Sequence, residues 1–192
     1  MAEPAFDSNI FYRITNPSIG VNFSIDVANT AAPVAIGTVD ITPSGPFMGQ
    51  GWQLLNLESS VNSSSFLLSS FYLGAQKKLY VSIGEGATYV PFLTNFTDSP
   101  YDLSWIVSPF NASDNATTYS IKPTFLGGAS SLSINTVTKQ PFLEVTGGSD
   151  NQKWQFTPLQ RINDASFSAA ALSAVAISVR PNPINTLCDT DK

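Results

Sequence analysis

The stretch Asp150–Leu159, DNQKWQFTPL, carries the last of the three tryptophans in this 192-residue chain. Its alternating residues and its proline are typical of the end of a β-strand. Similar stretches surround the other two tryptophans: GQGWQLLNL occupies Gly49–Leu57 and YDLSWIVSPF occupies Tyr101–Phe110. Because a pattern that returns at a regular spacing indicates an internal repeat, the tryptophans are the first landmark of a repeated unit.

Two further sets of positions recur with nearly the same period. Aromatic residues that open alternating segments lie 54 and 53 residues apart, at Tyr12, Phe66 and Tyr119. A second set has the same two spacings, at Asp26, Tyr80 and Ser133, and a glycine suited to a turn precedes each member, at Gly20, Gly74 and Gly128. The tryptophans themselves are 53 and 49 residues apart. The chain therefore contains three copies of a unit of about 53 residues.

The spacing of apolar residues within each unit predicts an all-β fold. Each unit has about four short alternating segments separated by Pro, Gly, Asn and Ser, and no amphipathic helix precedes residue 164. Three blades are too few for a common β-propeller, whereas twelve short strands in three units fit a β-trefoil, in which each unit gives one strand pair to a barrel and another to a cap. We interpret Trp52, Trp105 and Trp154 as large apolar plugs of the shared core.

We divide the chain into three parts on the same evidence of periodicity. The predicted bounds are 1–8 for an N-terminal extension, 9–160 for the β-trefoil, with units of about 9–60, 61–112 and 113–160, and 161–192 for an irregular or partly helical tail or linker. Within the tail, the largely apolar run Ala169–Val179 has 11 residues, about half of the roughly 20 that span a bilayer.

The tail admits three interpretations. It is a linker toward a membrane anchor in a longer chain, an assembly element that makes a homo-oligomer by docking its apolar run on a neighbouring subunit, or a disordered segment. Cys188 is the single cysteine of the chain, so an internal disulfide is excluded and pairing between molecules is expected if Cys188 is oxidised.

The composition excludes most catalytic and nucleic-acid-binding classes. The chain has no histidine, which removes Ser-His-Asp triads, Cys-His pairs and histidine-ligated zinc. Its 14 acidic residues are scattered and show no spacing typical of a catalytic pair or a calcium loop. A net charge of −5 without a basic cluster argues against nucleic acid as a partner. We expect a protein that is not an enzyme and that uses neither a cofactor nor a metal.

Several features favour a secreted or cell-surface glycoprotein. Asn-x-Ser/Thr sequons, the acceptors of N-glycosylation, occur at Asn22, Asn62, Asn95, Asn111 and Asn115. The N-terminal residues MAEPAFDSNIF lack the charged start and apolar segment of a signal peptide. We interpret Met1 as an expression start on a processed chain that begins near Ala2.

The tryptophan stretches resemble the ricin-B-type lectin family. The family signature Gln-x-Trp is intact at Gln50–Trp52 and Gln152–Trp154, whereas the second unit has Leu103 in place of the glutamine. The stretches TPSGPFMGQGWQL, YRIT and KWQFTPL look similar to secreted ricin-B-type proteins of fungi, and the resemblance covers about residues 9–160. It implies a β-trefoil that binds glycans.

The resemblance also implies where a sugar would bind. In the family, an Asp early in each unit accepts hydrogen bonds from two sugar hydroxyls, a loop aromatic stacks on the sugar face, and a downstream Asn or Gln completes the site. In unit one these roles fall to Asp26, Phe47 and Gln50. Units two and three have Tyr80 and Ser133 at the carboxylate position, so we expect at most one site of the family type, in unit one. The implied sugars are galactose or N-acetylgalactosamine.

Other readings of the same residues stay open. Asp26 is also typical of a carboxylate that caps backbone N–H groups in a turn, Phe47 of a loop ring folded onto the barrel, and Gln50 of a side chain that holds its turn. The second functional hypothesis is a structural or adhesion module that has lost sugar binding. Trefoil protease inhibitors share the fold, but no segment is recognisable as a reactive loop.

Overall fold

The computed structural model describes residues 6–27, 37–46, 48–57, 65–83, 89–95, 103–110 and 117–168. Twelve β-strands and short 3-10 turns make up most of these residues. The strands are β1 (Ile10–Thr15), β2 (Phe23–Val27), β3 (Gly37–Pro43), β4 (Trp52–Leu57), β5 (Ser65–Ser70), β6 (Lys77–Ile83), β7 (Tyr89–Asn95), β8 (Trp105–Pro109), β9 (Tyr119–Pro123), β10 (Ser130–Ile134), β11 (Pro141–Val145) and β12 (Gln155–Arg161).

Six strands, the first and last of each unit, form a closed antiparallel barrel. Within the units β1 pairs with β4, β5 with β8, and β9 meets the start of β12; between the units β4 pairs with β5, β8 with β9, and β12 with β1. The ring closes where Tyr119 and Trp154 exchange two backbone hydrogen bonds of 2.8 and 2.9 Å. Closure leaves no free edge on the barrel.

The other six strands form three hairpins, β2–β3, β6–β7 and β10–β11, and β3 also pairs with β7. Each hairpin follows a turn at a glycine with positive φ, 87° at Gly20, 83° at Gly74 and 79° at Gly128, a conformation that other residues rarely adopt. A barrel strand, a hairpin and a second barrel strand thus recur three times. This is a β-trefoil, and the predicted fold class is confirmed.

The repeated aromatic and the repeated tryptophan of each unit are neighbours in the structure. In every unit the aromatic of the first strand is the direct cross-strand partner of the tryptophan: Tyr12 of Trp52, Phe66 of Trp105, and Tyr119 of Trp154. The three tryptophans are at most 1% exposed and share one apolar cluster with the core residues of the hairpins. The repeated aromatic and the repeated tryptophan therefore build the core that joins the three units.

Two segments next to the predicted trefoil range pack on the barrel. Phe6 contacts the rings of Tyr12, Phe66 and Tyr119 at centroid distances of 5.4, 5.5 and 5.4 Å, and thus touches the first strand of every unit. After β12 the chain is helical at 165–168, and buried Phe167 packs against Phe11. The rest of the predicted tail, with its apolar run and Cys188, lies outside the described residues.

Candidate functional site

The tryptophan of each unit also holds the first hairpin strand, which carries the position that the family resemblance assigns to the sugar-binding carboxylate. Its indole N–H donates to the backbone carbonyl of the residue directly before that position: Trp52 to Ile25 (3.1 Å), Trp105 to Leu79 (2.9 Å) and Trp154 to Leu132 (2.9 Å). These bonds are buried, so breaking one leaves an unpaired carbonyl in the core. Asp26, Tyr80 and Ser133 therefore occupy equivalent places.

In unit one, Asp26 lies in a hydrogen-bonded group with Thr42 and Gln50. The hydroxyl of Thr42 donates to Oδ2 of Asp26 at 2.6 Å, and Nε2 of Gln50 donates to the same oxygen at 3.5 Å and to the Thr42 hydroxyl at 2.8 Å. The structure thus brings together two of the three predicted sugar-binding residues, Asp26 and Gln50.

Gln50 also fixes the loop that follows β3. Its Oε1 accepts from the backbone N–H of Gly45 at 3.0 Å, and its Nε2 donates to the carbonyl of Pro43 at 2.8 Å. The guanidinium of Arg13, on β1, donates to the carbonyl of Gly45 at 2.6 Å. Because it is fully buried and bonded at both ends, Gln50 holds the loop against the hairpin and orients Asp26.

The second oxygen of Asp26 has a different environment. Both hydrogen bonds that Asp26 accepts from the described part of the chain end on Oδ2. Oδ1 lies against the backbone of Gly49, where an added β-carbon would overlap it. Asp26 as a whole is 9% exposed. Thr42 and Gln50 thus fix Oδ2, and Oδ1 packs on the Gly49 backbone.

An exposed methionine and a second acid lie on the segments next to Asp26. Phe47, the predicted stacking residue, lies outside the described residues, and its neighbour Met48 is 54% exposed. Asp40 is the direct cross-strand partner of Asp26, and its Oδ1 accepts from the N–H of Ile41 at 2.7 Å and from the amide of Gln140 at 3.1 Å. The two carboxylates differ in their partners: Asp40 accepts from Gln140 of unit three, whereas Asp26 accepts from residues of unit one.

Unit two has mainly apolar side chains at the positions that correspond to Asp26 and Gln50 of unit one. Leu103 stands in place of the glutamine and is buried, and Tyr80 packs with it in one apolar cluster. The ring of Tyr80 contacts Phe92 at 5.3 Å and Phe125 of unit three at 6.2 Å. Because the aspartate and the glutamine are both absent from these positions, neither a carboxylate nor an amide is buried there without a partner. Among the described residues of unit two, none places a carboxylate at this position.

A buried lysine lies on the same hairpin strand. Lys78 is 3% exposed, and its ammonium donates to the Ser69 hydroxyl at 2.7 Å and to the Ala75 carbonyl. Burial lowers the pKa of Lys78 from 10.5 to about 8, because the charged form loses its hydration. Lys78 is equivalent to Ser24 of unit one, so unit two has an ionisable group where unit one has a serine.

In unit three the carboxylate lies on the other strand of the hairpin. Ser133 donates to Oε2 of Glu144 at 2.9 Å, and Nε2 of Gln152 donates to the same oxygen at 3.3 Å. Gln152 also bonds the N–H of Gly147 at 3.1 Å and the carbonyl of Val145 at 2.8 Å, as Gln50 does with its own loop. Ser133 itself lacks a carboxylate, as the sequence shows. Glu144 on the facing strand, however, brings a carboxylate to the Ser133 side chain.

Three participants were missed by the sequence analysis: Arg13, Thr42 and Glu144. Nothing in their local sequence marks them, since a threonine or glutamate on a strand and an arginine on a barrel strand are ordinary. The offset of 102 residues that relates Gln50 to Gln152 also relates Thr42 to Glu144, and this offset is the signal that would have found the pair.

Of the predicted glycosylation sites, the structure describes two. Asn22 is exposed in the turn before β2, which makes its side chain accessible to modification. Asn95 ends β7. Asn62, Asn111 and Asn115 lie outside the described residues. Within the described part of the chain, no helix is long and apolar enough to cross a membrane.

Comparison with known proteins shows similarity in structure. No protein-family model matches the sequence, and no curated protein matches it. Among solved structures, the designed threefold symmetric protein ThreeFoil matches with a TM-score of 0.60 and 20% identity, over 80% of this chain and 100% of its own. A ricin B-like lectin of Macrolepiota procera, in complex with lactose, matches with a TM-score of 0.57 and 18% identity, over 80% and 98%. An endo-β-galactosidase from Clostridium perfringens matches with a TM-score of 0.55 and 12% identity, over 79% of this chain and 33% of the enzyme.

These matches place the chain among proteins with a ricin-B-like β-trefoil fold. The predicted resemblance is confirmed at the level of the fold. At identities of 20% or less the similarity concerns the backbone. What the side chains do is a separate question.

Proposed function

We propose that this protein is a non-catalytic carbohydrate-binding module and that its site in unit one is centred on Asp26. The observation that carries the proposal is the state of the Asp26 carboxylate. Thr42 and Gln50 fix Oδ2, whereas no described residue donates a hydrogen bond to Oδ1. A carboxylate held in one orientation, with an oxygen that accepts from none of the described residues, suits a sugar hydroxyl.

The chemistry of a pyranose fits this group. A sugar presents neighbouring hydroxyls, which are hydrogen-bond donors, and a C–H face that packs on apolar side chains. The exposed side chain of Met48 and, by the family resemblance, the ring of Phe47 would cover that face. Because a single sugar makes few contacts with a protein surface, we expect a dissociation constant on the order of 1 mM.

The structural neighbours support the lectin class over an enzyme. One of them is a lectin in complex with lactose, and it is matched over nearly its whole length. The endo-β-galactosidase is matched over only a third of its length, which is expected when a trefoil accompanies a separate enzymatic part. The sequence, which lacks histidine, favours the same reading.

A glycan array tests the proposal. The wild-type chain should bind a set of terminal galactose or N-acetylgalactosamine glycans, and Asp26→Ala should lose them. Asp40→Ala is the matched control, because it removes a carboxylate from the facing strand of the same hairpin and should retain binding. No binding by folded wild-type protein, or binding that Asp26→Ala retains, would contradict the proposal.

We propose further that the module works outside the cell as a glycoprotein. The exposed turn position of Asn22 supports this. Expression through a eukaryotic secretory pathway, followed by peptide mass spectrometry, should show glycan on Asn22. An Asn22 that remains unmodified in secreted protein would contradict glycosylation there.

A structural or adhesion role is the second candidate, favoured by unit two. There the polar group has become the aromatic cluster Tyr80, Phe92 and Phe125, and Phe125 is 39% exposed. Such a surface is suited to contact with another protein. Light scattering on the intact chain should then show concentration-dependent association that Phe125→Ser reduces. A monomer at all concentrations would exclude self-assembly.

A further inference from the structure

The segment that follows β12 lies against a buried lysine of unit two. We call this segment, residues 162–168, the strap: Ile162 and Phe167 are buried, and the four residues between them are exposed. We propose that the strap is a proton-linked cover of Lys78, which closes over the neutral amine and opens more readily when that amine is protonated. This role is independent of sugar binding and belongs to a residue that the proposed function does not use.

An aromatic contact and a side-chain amide hold the strap on the barrel. The ring of Phe167 packs on Phe11 and Phe71 at centroid distances of 5.0 and 6.2 Å. Nε2 of Gln53, on β4, donates to the Phe167 carbonyl at 3.3 Å and to the Ser8 carbonyl at 2.8 Å. Oε1 of the same amide is buried and accepts from no described residue. Because a short segment held in this way has few contacts to break, it opens at a lower cost than the barrel.

Two connections place the ammonium of Lys78 beneath the strap. It donates to the hydroxyl of Ser69 at 2.7 Å, and Ser69 is the direct cross-strand partner of Gln53, which holds Phe167. It also donates to the carbonyl of Ala75, whose side chain packs in the same apolar cluster as the strap. We therefore expect an open strap to bring water to the ammonium.

The equivalent positions of the other units carry neutral groups. In units one and three a serine at the position of Lys78 pairs with a hydroxyl, and that hydroxyl donates to a carbonyl of the turn before the hairpin. These trios are Ser24, Ser44 and Val21, and Ser131, Thr146 and Gly128. In unit two Lys78 itself reaches the turn carbonyl, at Ala75. Neutral hydroxyls thus meet the same need, and the ionisable group stands in the unit whose turn packs against the strap.

The surroundings of Lys78 bury its charge without compensating it. The charged residues on the neighbouring elements are Asp7, Arg13, Lys77, Arg161 and Asp164. Both hydrogen bonds that the ammonium donates within the described part of the chain go to uncharged oxygens. Because the charged form loses its hydration, burial lowers the pKa of Lys78 from 10.5 to about 8.

Protonation of Lys78 favours the open strap. Below pH 8 the amine is protonated whether the strap is open or closed, and the closed state bears the full cost of the buried charge. Between about pH 8 and 10.5 the closed state has released the proton and the open state still holds it, so closure becomes more favourable as the pH rises. Where opening exposes the amine fully, the opening equilibrium falls by roughly 300-fold over this range.

An NMR titration of the intact chain tests the cover. In wild-type protein the ¹³Cε signal of Lys78 should titrate near pH 8, and the methyl signals of Ile162 should shift with the same midpoint. Phe167→Ala removes the ring that holds the strap and should raise the pKa of Lys78 to about 9 or higher. Leu159→Ala is the control, because it removes a side chain of β12 that is 40% exposed and should leave this pKa near 8.

Urea unfolding supplies a second test. Phe167→Ala should cost more stability at pH 10 than at pH 7, because the variant loses much of the stabilisation that wild-type protein gains when its folded state releases the proton. In a Lys78→Met background the cost of Phe167→Ala should be the same at both pH values.

A Lys78 pKa that stays near 8 in folded Phe167→Ala would overturn the proposal, and so would a cost of Phe167→Ala that is equal at the two pH values in the presence of Lys78. Should Phe167→Ala not fold, the Ile162 methyl signals decide. A shift near pH 8 that Lys78→Met abolishes supports the cover, and a shift that Lys78→Met retains, or no shift in wild-type protein, overturns it.

Discussion

The indole nitrogen of Trp52 lies 3.1 Å from the carbonyl oxygen of Ile25, the residue directly before Asp26. One side chain therefore fills the core of the trefoil and positions the strand from which the candidate ligand residue projects. Because units two and three repeat the same bond, the fold holds three equivalent positions whatever residue stands there. Stability and the geometry of the site are coupled through this contact.

Trp52→Phe should destabilise the fold by about 2–4 kcal/mol, since it leaves a cavity and an unpaired buried carbonyl at Ile25. Trp105→Phe should cost a similar amount because its bond to Leu79 is equivalent. Urea unfolding of the three proteins measures both costs. A loss below about 1 kcal/mol for either variant would show that the indole bond is not a structural support.

Gly49→Ala should disturb the site in unit one, because the added β-carbon overlaps Oδ1 of Asp26. We expect a loss of about 1–3 kcal/mol in stability and a loss of sugar binding at unit one. Gly51→Ala is the control, since the contacts of its β-carbon begin at 3.4 Å. Unfolding curves and the Trp52 signal in a sugar titration distinguish the two variants. Equal behaviour would refute the close packing of Gly49 on Asp26.

Phe6→Ala should destabilise the trefoil by about 2–4 kcal/mol, although Phe6 lies in the segment predicted as an extension. Its ring contacts the first strand of all three units, so its loss opens the centre of the barrel. Phe125→Ala removes a ring that is 39% exposed and should cost less. Thermal and chemical unfolding give the comparison. A smaller loss for Phe6→Ala than for Phe125→Ala would contradict the role of Phe6 at the barrel centre.

Lys78 should make stability depend on pH in the alkaline range. Below pH 8 both the folded and the unfolded state carry the protonated lysine, and the cost of burying the charge is fully present. Between about pH 8 and 10.5 the folded state has released the proton and the unfolded state still holds it, so stability rises with pH. The difference in unfolding free energy between wild-type protein and Lys78→Met should therefore shift by about 2–3 kcal/mol in favour of the wild type between pH 7 and 10. Parallel pH profiles of the two proteins would contradict the lowered pKa.

The repeat could be predicted from sequence because large core residues mark it at a regular spacing. Tyr12 and Trp52 recur at a regular spacing, and the structure pairs them across the barrel in every unit. Phe6 has no counterpart in the other units, so periodicity could not reveal it. One ring at the threefold centre serves all three units, which is why it occurs once.

The site was predictable only in part. Asp26 and Gln50 match a known pattern, whereas Glu144 became visible only when the hairpin register placed it opposite Ser131 and within reach of Ser133. A carboxylate that moves to the facing strand changes its sequence position by 11 residues and its spatial position by little. Patterns along one strand cannot detect such an exchange. Burial of Lys78 was likewise set by the fold and not by its neighbours in sequence.

Whether a fixed carboxylate in unit one binds a sugar is tested by the affinity of the best array glycan for wild-type protein and for Asp26→Asn. This substitution keeps the shape of the side chain and removes its charge. We expect a wild-type dissociation constant on the order of 1 mM or tighter and a weakening of about tenfold or more in the variant. Equal affinities for two correctly folded proteins would contradict it.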